Sequence, residues 1–218
     1  MNPEPRAKRT PLSKDRVLQA AVTLADDVGI SQLSMRRLGD ALGVKAMSLY
    51  KHVADKDDIL DGIVDIVTGE MALPTVGSDW RLSMRRRALS AHEVLLRHPW
   101  ATMLLVSRTN VGPSMLRYVE ATVGCLRAAG FSYALADRAW NALDSYVYGF
   151  TLQRIKSPFD PEKHSDVAES YLHMIPVAQF PHMHGMARNL IDGHHDGRQT
   201  LEFGLDLLLD GLEALRDA

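Results

Sequence analysis

Residues 33–60 read LSMRRLGDALGVKAMSLYKHVADKDDIL, and the fold turns on how this stretch is parsed. Ser34 is a good helix N-cap, since its hydroxyl can accept from an unpaired backbone N–H of the first turn. Met35, Leu38 and Leu42 recur at helical spacing and point inward. Gly43 follows them. With no Cβ, it adopts the left-handed conformation that ends a helix. The spacing then predicts a second, very short helix from about Lys45 to His52, with Leu49 and Val53 turned in. Helix, glycine turn, helix is the helix-turn-helix pattern, whose second helix enters the DNA major groove. Lys45, Ala46, Ser48, Lys51 and His52 are left outward, and they are small, polar or basic as a groove demands. Asp55 reads as the cap of a third helix, with Asp58 closing a variant capping box. Lys56 starts that helix, where a phosphate meets free backbone N–H groups.

Working outward, the chain has 218 residues, enough to bury a sizeable core, and a formal net charge of -2. That balance excludes a generic polyanion binder, but the charge is uneven. Residues 1–56 hold ten Lys and Arg against six Asp and Glu, and the remainder holds fifteen against twenty-one. A basic head on an acidic body is expected if only the head meets phosphate. Residues 1–11, MNPEPRAKRTP, are basic and proline-containing. Arg6, Lys8 and Arg9 form either an arm that lies along phosphates or in a minor groove, or a solvated tail. Cys125 is alone, allows no internal disulfide, and reads as a small buried hydrophobe. There is no secretory apolar segment and no run of the ~18 apolar residues a membrane span needs, so a cytoplasmic protein with no membrane partner is expected.

The pattern elsewhere is helical throughout, which gives an all-α class. Ser13 caps a first helix with Val17, Ala21, Leu24 and Val28 inward, ended by Gly29. The helix after Asp55 runs to about Met71, roughly 25 Å at ~1.5 Å per residue. It is long enough to serve the head at one end and the body at the other. Ser78 reads as the cap of a helix ending at His98, before Pro99. Pro113 suits the first position of a helix ending at Gly130, with Leu116, Val119, Val123 and Leu126 inward. Ser132 caps a long helix to about Ser157. Shorter helical patterns occupy 166–175 and 181–191, and a last helix runs from about Arg198 to Arg216. The expected domains are a basic arm at 1–11, a reader at 12–56 and a larger helical bundle at 57–218, the last two joined by a continuous helix.

Leu49-Tyr50-Lys51-His52-Val53-Ala54-Asp55-Lys56, preceded by Leu42-Gly43-Val44, resembles the DNA-binding module of the tetracycline repressor (TetR) family. The upstream Asp27-Val28-Gly29-Ile30 and Leu33-Ser34-Met35-Arg36-Arg37-Leu38 match as well, so the likeness covers roughly 12–65. A weaker likeness covers Phe203 to Leu212, similar to the last helix of tetracycline-repressor-type regulatory domains. The resemblance implies a repressor that binds a palindromic operator in double-stranded DNA as a homodimer and is released by a small molecule. It implies that Ser34, Lys51, His52 and Lys56 contact phosphate. Arg36, Lys45, Met47, Ser48 and Tyr50 are expected to face the groove, with Arg36 suited to guanine. Ala46 and Met47 stand where tetracycline repressors carry a polar residue and a proline, so a different operator is expected.

Phe203 and Leu207 flank the leucine stripe of the last helix, as on a helix shared between two chains. The homodimer interface is therefore expected at 132–157 and 198–216. Aromatic, Met and polar residues of the middle helices suit an apolar cavity with a few orienting groups. The candidates for contact with a small-molecule effector are His92, Trp100, Met103, Leu104, Arg108, Tyr118, Trp140, Asp144 and Tyr148. Tetracycline-binding relatives place a histidine four residues before the arginine that Arg108 resembles, and here that position is Leu104. His182-Met183-His184 and His194-His195 lack a nearby cysteine and an i,i+4 partner, so they read as solvated rather than as a metal site. No cofactor and no metal are expected. No GxSxG, Walker A, GxGxxG or HExxH pattern occurs, so no catalytic residue and no enzyme is expected. The alternatives are a constitutive DNA binder without effector, and a helical-bundle enzyme or carrier.

Overall fold

The computed structural model describes residues 11–156, 164–194 and 200–218, and among these every regular element is helical. The arm residues Arg6, Lys8 and Arg9, and with them His195, Ser157 and Arg198, lie outside the described residues. Two compact units are formed, Met1–Trp140 and Asn141–Ala218.

In the first unit α1 spans Lys14–Val28. The Ser13 hydroxyl accepts from the Arg16 N–H at 3.2 Å, and Gly29 ends the helix at φ 84°. Its inward face is Val17, Leu18, Ala21, Val22 and Ala25. Val28, expected inward, is 44% exposed, because this stripe has rotated past it. A single 3₁₀ turn, Ile30–Gln32, leads to α2, Met35–Leu42, and then to α3, Ala46–Leu49. The last is shorter than the spacing suggests. The N–H groups of His52 and Val53 both donate to the Leu49 carbonyl, at 2.8 and 3.1 Å. That tight turn delivers Val53 to the core, where it is 3% exposed.

The fourth helix, α4, spans Lys56–Gly69. Asp55 accepts from the Asp58 N–H at 2.9 Å, and Asp58 accepts in return from the Ala54 N–H at 3.0 Å. The return bond goes to Ala54, one residue before the cap, so the expected capping box closes on Ala54 and not on Asp55 itself. The helix stops two residues before the expected end, because a turn at Glu70 inserts Met71 into the core at 3% exposure. At ~1.5 Å per residue, its length is about 21 Å.

Then come α5, Trp80–Arg97, α6, Ala101–Ser107, and α7, Pro113–Ala128. The cap of α5 is Asp79, which accepts from Leu82 N–H at 2.9 Å, and not the expected Ser78. Ser78 instead donates to the Thr75 carbonyl at 2.8 Å and shares a hydrogen bond with Ser83. On α7 the buried face is Tyr118, Thr122, Cys125 and Leu126, and Leu116 is 59% exposed. Tyr118 takes the inward place beneath the Arg87 guanidinium, 4.4 Å from the ring centre. Leu116, two steps of ~100° earlier, is turned out. Burial pushes the Cys125 thiol above its ordinary value, so it stays an unreactive thiol, as expected for a buried cysteine.

The division between units falls inside α8, Tyr133–Lys156. The second unit adds α9, His164–Leu172, α10, Pro181–Ile191, and α11, Leu201–Asp217. The Tyr146 hydroxyl donates to the Leu201 carbonyl at 3.1 Å. Any side chain at Gly204 would overlap the Tyr146 ring, so a glycine lets α11 lie close along α8. Leu201, Leu205, Leu209 and Leu212 are buried. Leu215 is 62% exposed near the end of α11.

The joint between α1 and α4 sets one measurable property. Lys14 donates to Asp58 at 2.8 Å. That bond, aided by the Ala54 N–H, holds the Asp58 carboxyl below its ordinary value against the opposing effect of burial. A carboxylate favoured in this way stabilises the fold above its unfolded value, about 3.9, and stops doing so as pH falls through its lowered folded value. Asp58→Asn is therefore expected to be less stable by roughly 0.5–1 kcal/mol at neutral pH, since both partners are partly solvated. Thermal melts should show that gap close in the acid range below about pH 3.9. A gap of the same size at pH 2.5 and pH 7 would contradict it.

Candidate nucleic-acid interface

The reader stands on a small dry core. Leu38 and Leu49 are 0% exposed and Leu33 2%, under α2 and α3. Each such side chain contributes roughly 1.5–3 kcal/mol by leaving water. Gly43, left-handed at φ 66°, turns the chain between the two helices as expected. The residue that brings them into contact is Gly39, which spacing alone did not single out. A Cβ there would lie 2.9 Å from the Val44 carbonyl oxygen and 3.1 Å from the Ala46 nitrogen. The Val44 N–H donates to the Gly39 carbonyl at 2.9 Å. Two backbones thus touch where a side chain would otherwise stand.

With the apolar side buried, the opposite side presents Ser34, Arg36, Lys45, Met47, Tyr50, Lys51 and Lys56 as exposed residues, and Ala46, Ser48 and His52 as half-buried ones. Arg36, Lys45 and Ala46 meet Asp40, Gly43 and Val44 around one open depression of about 430 Å³. Ser34 has a second task, since its hydroxyl accepts from the Arg37 N–H at 3.3 Å and caps α2. The surface so formed carries the cationic Arg36, Lys45, Lys51 and Lys56 together with the small or apolar Ala46, Met47 and Ser48. That combination suits phosphate rims and a groove floor.

Behind the reader, α4 carries Asp57, Asp61 and Asp65 at i, i+4 and i+8, on one face. Arg108, at the end of α6, donates to Asp61 at 2.7 Å and to Asp57 at 3.1 Å. Asp65 accepts from the N–H groups of Ser114 at 2.8 Å and Met115 at 3.0 Å. Pro113 has no N–H, and Gly112 supplies no side-chain cap. The free donors of the first turn of α7 are thus served from α4, 49 and 50 residues away in sequence. A second joint ties α1 to the start of α6. Asp26 accepts from the Trp100 indole at 2.7 Å and bonds the His98 ring at 2.8 Å. The other ring nitrogen of His98 faces Glu70 at 3.3 Å, and Arg97 donates to the same carboxylate at 2.7 Å. Burial raises the Glu70 pKa, but Arg97 and His98 outweigh it and leave the group below its ordinary value.

The residues expected to touch an effector are distributed over both units. In the first, Trp100 and Tyr118 are buried, His92, Leu104, Arg108 and Trp140 are half-buried, and Met103 is exposed. In the second, the Tyr148 hydroxyl donates to Asp144 at 3.3 Å. Trp100 and Arg108 are committed to Asp26 and to the α4 carboxylates in this structure. Arg87 was missed. It is 1% exposed and stacks on Tyr118, yet in sequence it is the third residue of an Arg85-Arg86-Arg87 run that reads as solvated charge. A signal was present, because Trp80, Met84, Arg87, Ala91 and Leu95 share one helical stripe. The Thr102 hydroxyl is buried and has no hydrogen-bond partner among the described residues.

These features define a helix-turn-helix protein whose reader is followed by a larger helical region. Comparison with known proteins agrees. Residues 17–63 match the family model for bacterial regulatory proteins of the tetR family, and residues 73–216 match the tetracyclin repressor-like C-terminal domain. The chain belongs to the tetracycline repressor (TetR) family. It is 42% identical over 149 residues to an HTH-type transcriptional regulator of Saccharopolyspora erythraea, covering 67% of this chain and 63% of that relative. It is 30% identical over 223 residues to the HTH-type transcriptional repressor DrrR1 of Streptomyces coeruleorubidus, covering 96% and 80%. Among solved structures, ActR of Streptomyces coelicolor in complex with actinorhodin superposes with a TM-score of 0.80 at 27% identity, covering 96% of this chain and 100% of that one. No described helix is long and apolar enough to cross a membrane.

Proposed function

We propose that this chain is a ligand-responsive transcriptional repressor that binds a two-fold operator as a homodimer and leaves it when a small molecule occupies the body. One observation carries the reading: a cationic, otherwise uncommitted face lies over α2 and α3 while their apolar side is sealed. Arg36 reads guanine, Lys45, Ser48 and Tyr50 face the groove, and Ser34, Lys51, His52 and Lys56 hold phosphate. The repressor name of the Streptomyces coeruleorubidus relative and the actinorhodin bound by ActR support the two halves of the reading. The effector surface is drawn from the first unit's candidates, with Arg87 and Thr102 added to them.

The test begins with selection of bound oligonucleotides from a random pool. On the selected operator, Arg36→Ala is expected to lose roughly 1–3 kcal/mol and relax preference at one base pair of each half-site. Lys56→Ala should weaken all sequences alike and lower the slope of affinity against salt by about one. Equal losses on every sequence for both variants would refute the assignment of roles.

Dimerisation is assigned to residues 132–157 and 198–216. Phe203 is 73% exposed and Leu207 58%, one turn apart on α11, while Leu201, Leu205, Leu209 and Leu212 of the same helix are buried. Two recognition helices must stand about 34–36 Å apart to enter successive grooves, which a stable pair provides. Sedimentation at micromolar concentration is expected to give a dimer, and Leu207→Glu combined with Phe203→Glu should shift it to monomer. A wild-type chain that sediments only as monomer would overturn the assignment.

Release follows from the joints on α4. An effector that draws the α6–α7 segment must carry Arg108 and the start of α7 with it, and these grip Asp57, Asp61 and Asp65. A tilt of ~5° over the ~21 Å of α4 moves its far end roughly 2 Å. For the tilt to be populated, the effector must bind the tilted state more tightly.

A further inference from the structure

Met47 is 74% exposed, more than any other large apolar side chain among the described residues. Its place is fixed by the core: Leu49, two residues on, is 0% exposed. Two steps of ~100° set Met47 on the opposite side of the turn from Leu49. Tyr50 and Lys51, three and four residues on, share that outward side, and Tyr50 is 46% exposed. Ala46 beside it adds a methyl and no polar group. An unbranched thioether held out in water contributes nothing to the packing of the head. It has no favourable contact to make with a phosphate. On the floor of a major groove one apolar feature exists, the C5-methyl of thymine, and cytosine lacks it.

We infer that Met47 is a specificity-determining residue that reads the C5-methyl of one thymine in each operator half-site. The inference rests on the DNA-reading role proposed above and deepens it. Arg36 supplies hydrogen-bond donors for a guanine, and Met47 supplies a flexible, polarizable apolar contact for a methyl group a few base pairs away. The same contact accepts 5-methylcytosine, because the group recognised is the methyl and not the pairing edge. Met47 meets no phosphate, so it leaves the salt dependence of binding unchanged.

The test uses the selected operator with each thymine pair replaced in turn by deoxyuridine, which removes the methyl and nothing else. Affinity is measured by fluorescence anisotropy at one fixed salt concentration. For the wild-type chain, one symmetric position is expected to lose about four-fold per half-site, the worth of one buried methyl, and so roughly fifteen-fold when both are replaced. Met47→Ala and the length-preserving Met47→Gln should bind the thymine operator more weakly and be indifferent to uracil at that position. A 5-methylcytosine–guanine pair there should bind wild type better than the unmethylated pair. A preferred operator with no uracil penalty, or with the same penalty in both variants, overturns this inference and leaves the DNA-reading role intact. A pool that yields no preferred sequence overturns both.

Discussion

Gly39→Ala is expected to abolish specific operator binding while leaving most of the chain folded. Replacing a helical glycine by alanine ordinarily stabilises a helix by roughly 0.5–1 kcal/mol. Here the added methyl would lie 2.9 Å from the Val44 carbonyl oxygen, closer than side-chain carbons come to backbone. The atoms it meets belong to the main chain of the turn and of α3, so relief requires α3 to move bodily away from α2. Overpacking of that kind costs about 1–3 kcal/mol. A displaced α3 also carries Ala46, Met47 and Ser48 out of register with Arg36 on α2, to which base reading is assigned in the proposal above. We expect at least a hundred-fold loss on the selected operator, with non-specific, salt-dependent binding retained. Gly185→Ala is the control, since a Cβ there meets nothing within 4 Å. Its melting temperature should be unchanged or slightly raised. If Gly39→Ala behaves like Gly185→Ala in both melting and operator affinity, the close approach of α2 to the turn is not what holds the reader in shape.

Asp65→Ala is the second large effect. One carboxylate oxygen accepts from Ser114 N–H and Met115 N–H, and no local residue replaces it, because Pro113 lacks a donor and Gly112 a side chain. Loss of an ordinary cap costs about 0.5–2 kcal/mol. A charged acceptor serving two part-buried donors belongs at the top of that range or above, near 3 kcal/mol. Hydrogen exchange should accelerate at Ser114 and Met115 in particular. Asp65→Asn keeps an oxygen acceptor and should lose less than half as much. The functional consequence is separable from stability. Asp65→Ala combined with Arg108→Gln removes both grips on α4, so operator binding should persist while any compound that releases the wild-type chain fails to release the variant. Normal release from the double variant would sink the coupling assigned to these contacts. Positions 65 and 112 are also bound together, since any Cβ at Gly112 would overlap the Asp65 carboxylate.

What the sequence disclosed and what it hid separate along one physical line. The cap residues Ser13, Ser34 and Asp55, the left-handed Gly43 and the inward Leu38, Leu49 and Val53 are local or periodic features, and all are found as expected. What it hid lies where contacts outside a helix's own periodicity decide, some of them between distant segments. Gly39 matters because of Val44 and Ala46 around the turn, and Asp65 matters because of a helix start 49 residues on. Arg87 was concealed by its two arginine neighbours, and its burial depends on Tyr118 from another helix. The cap of α5 fell between adjacent residues of the same capping class, Ser78 and Asp79, and hydrogen bonds to Thr75 and Ser83 draw the serine away.

Trp100 closes a circuit of a different kind. Its indole N–H ends on Asp26, a residue of the first helix, and its ring stands edge-on to His98 at 6.0 Å. The chain has only three tryptophans, and this one is seated where the first helix meets the segment that opens α6. Its ultraviolet emission is therefore a built-in gauge: parting of that seam wets the indole and shifts its colour, with no dye attached.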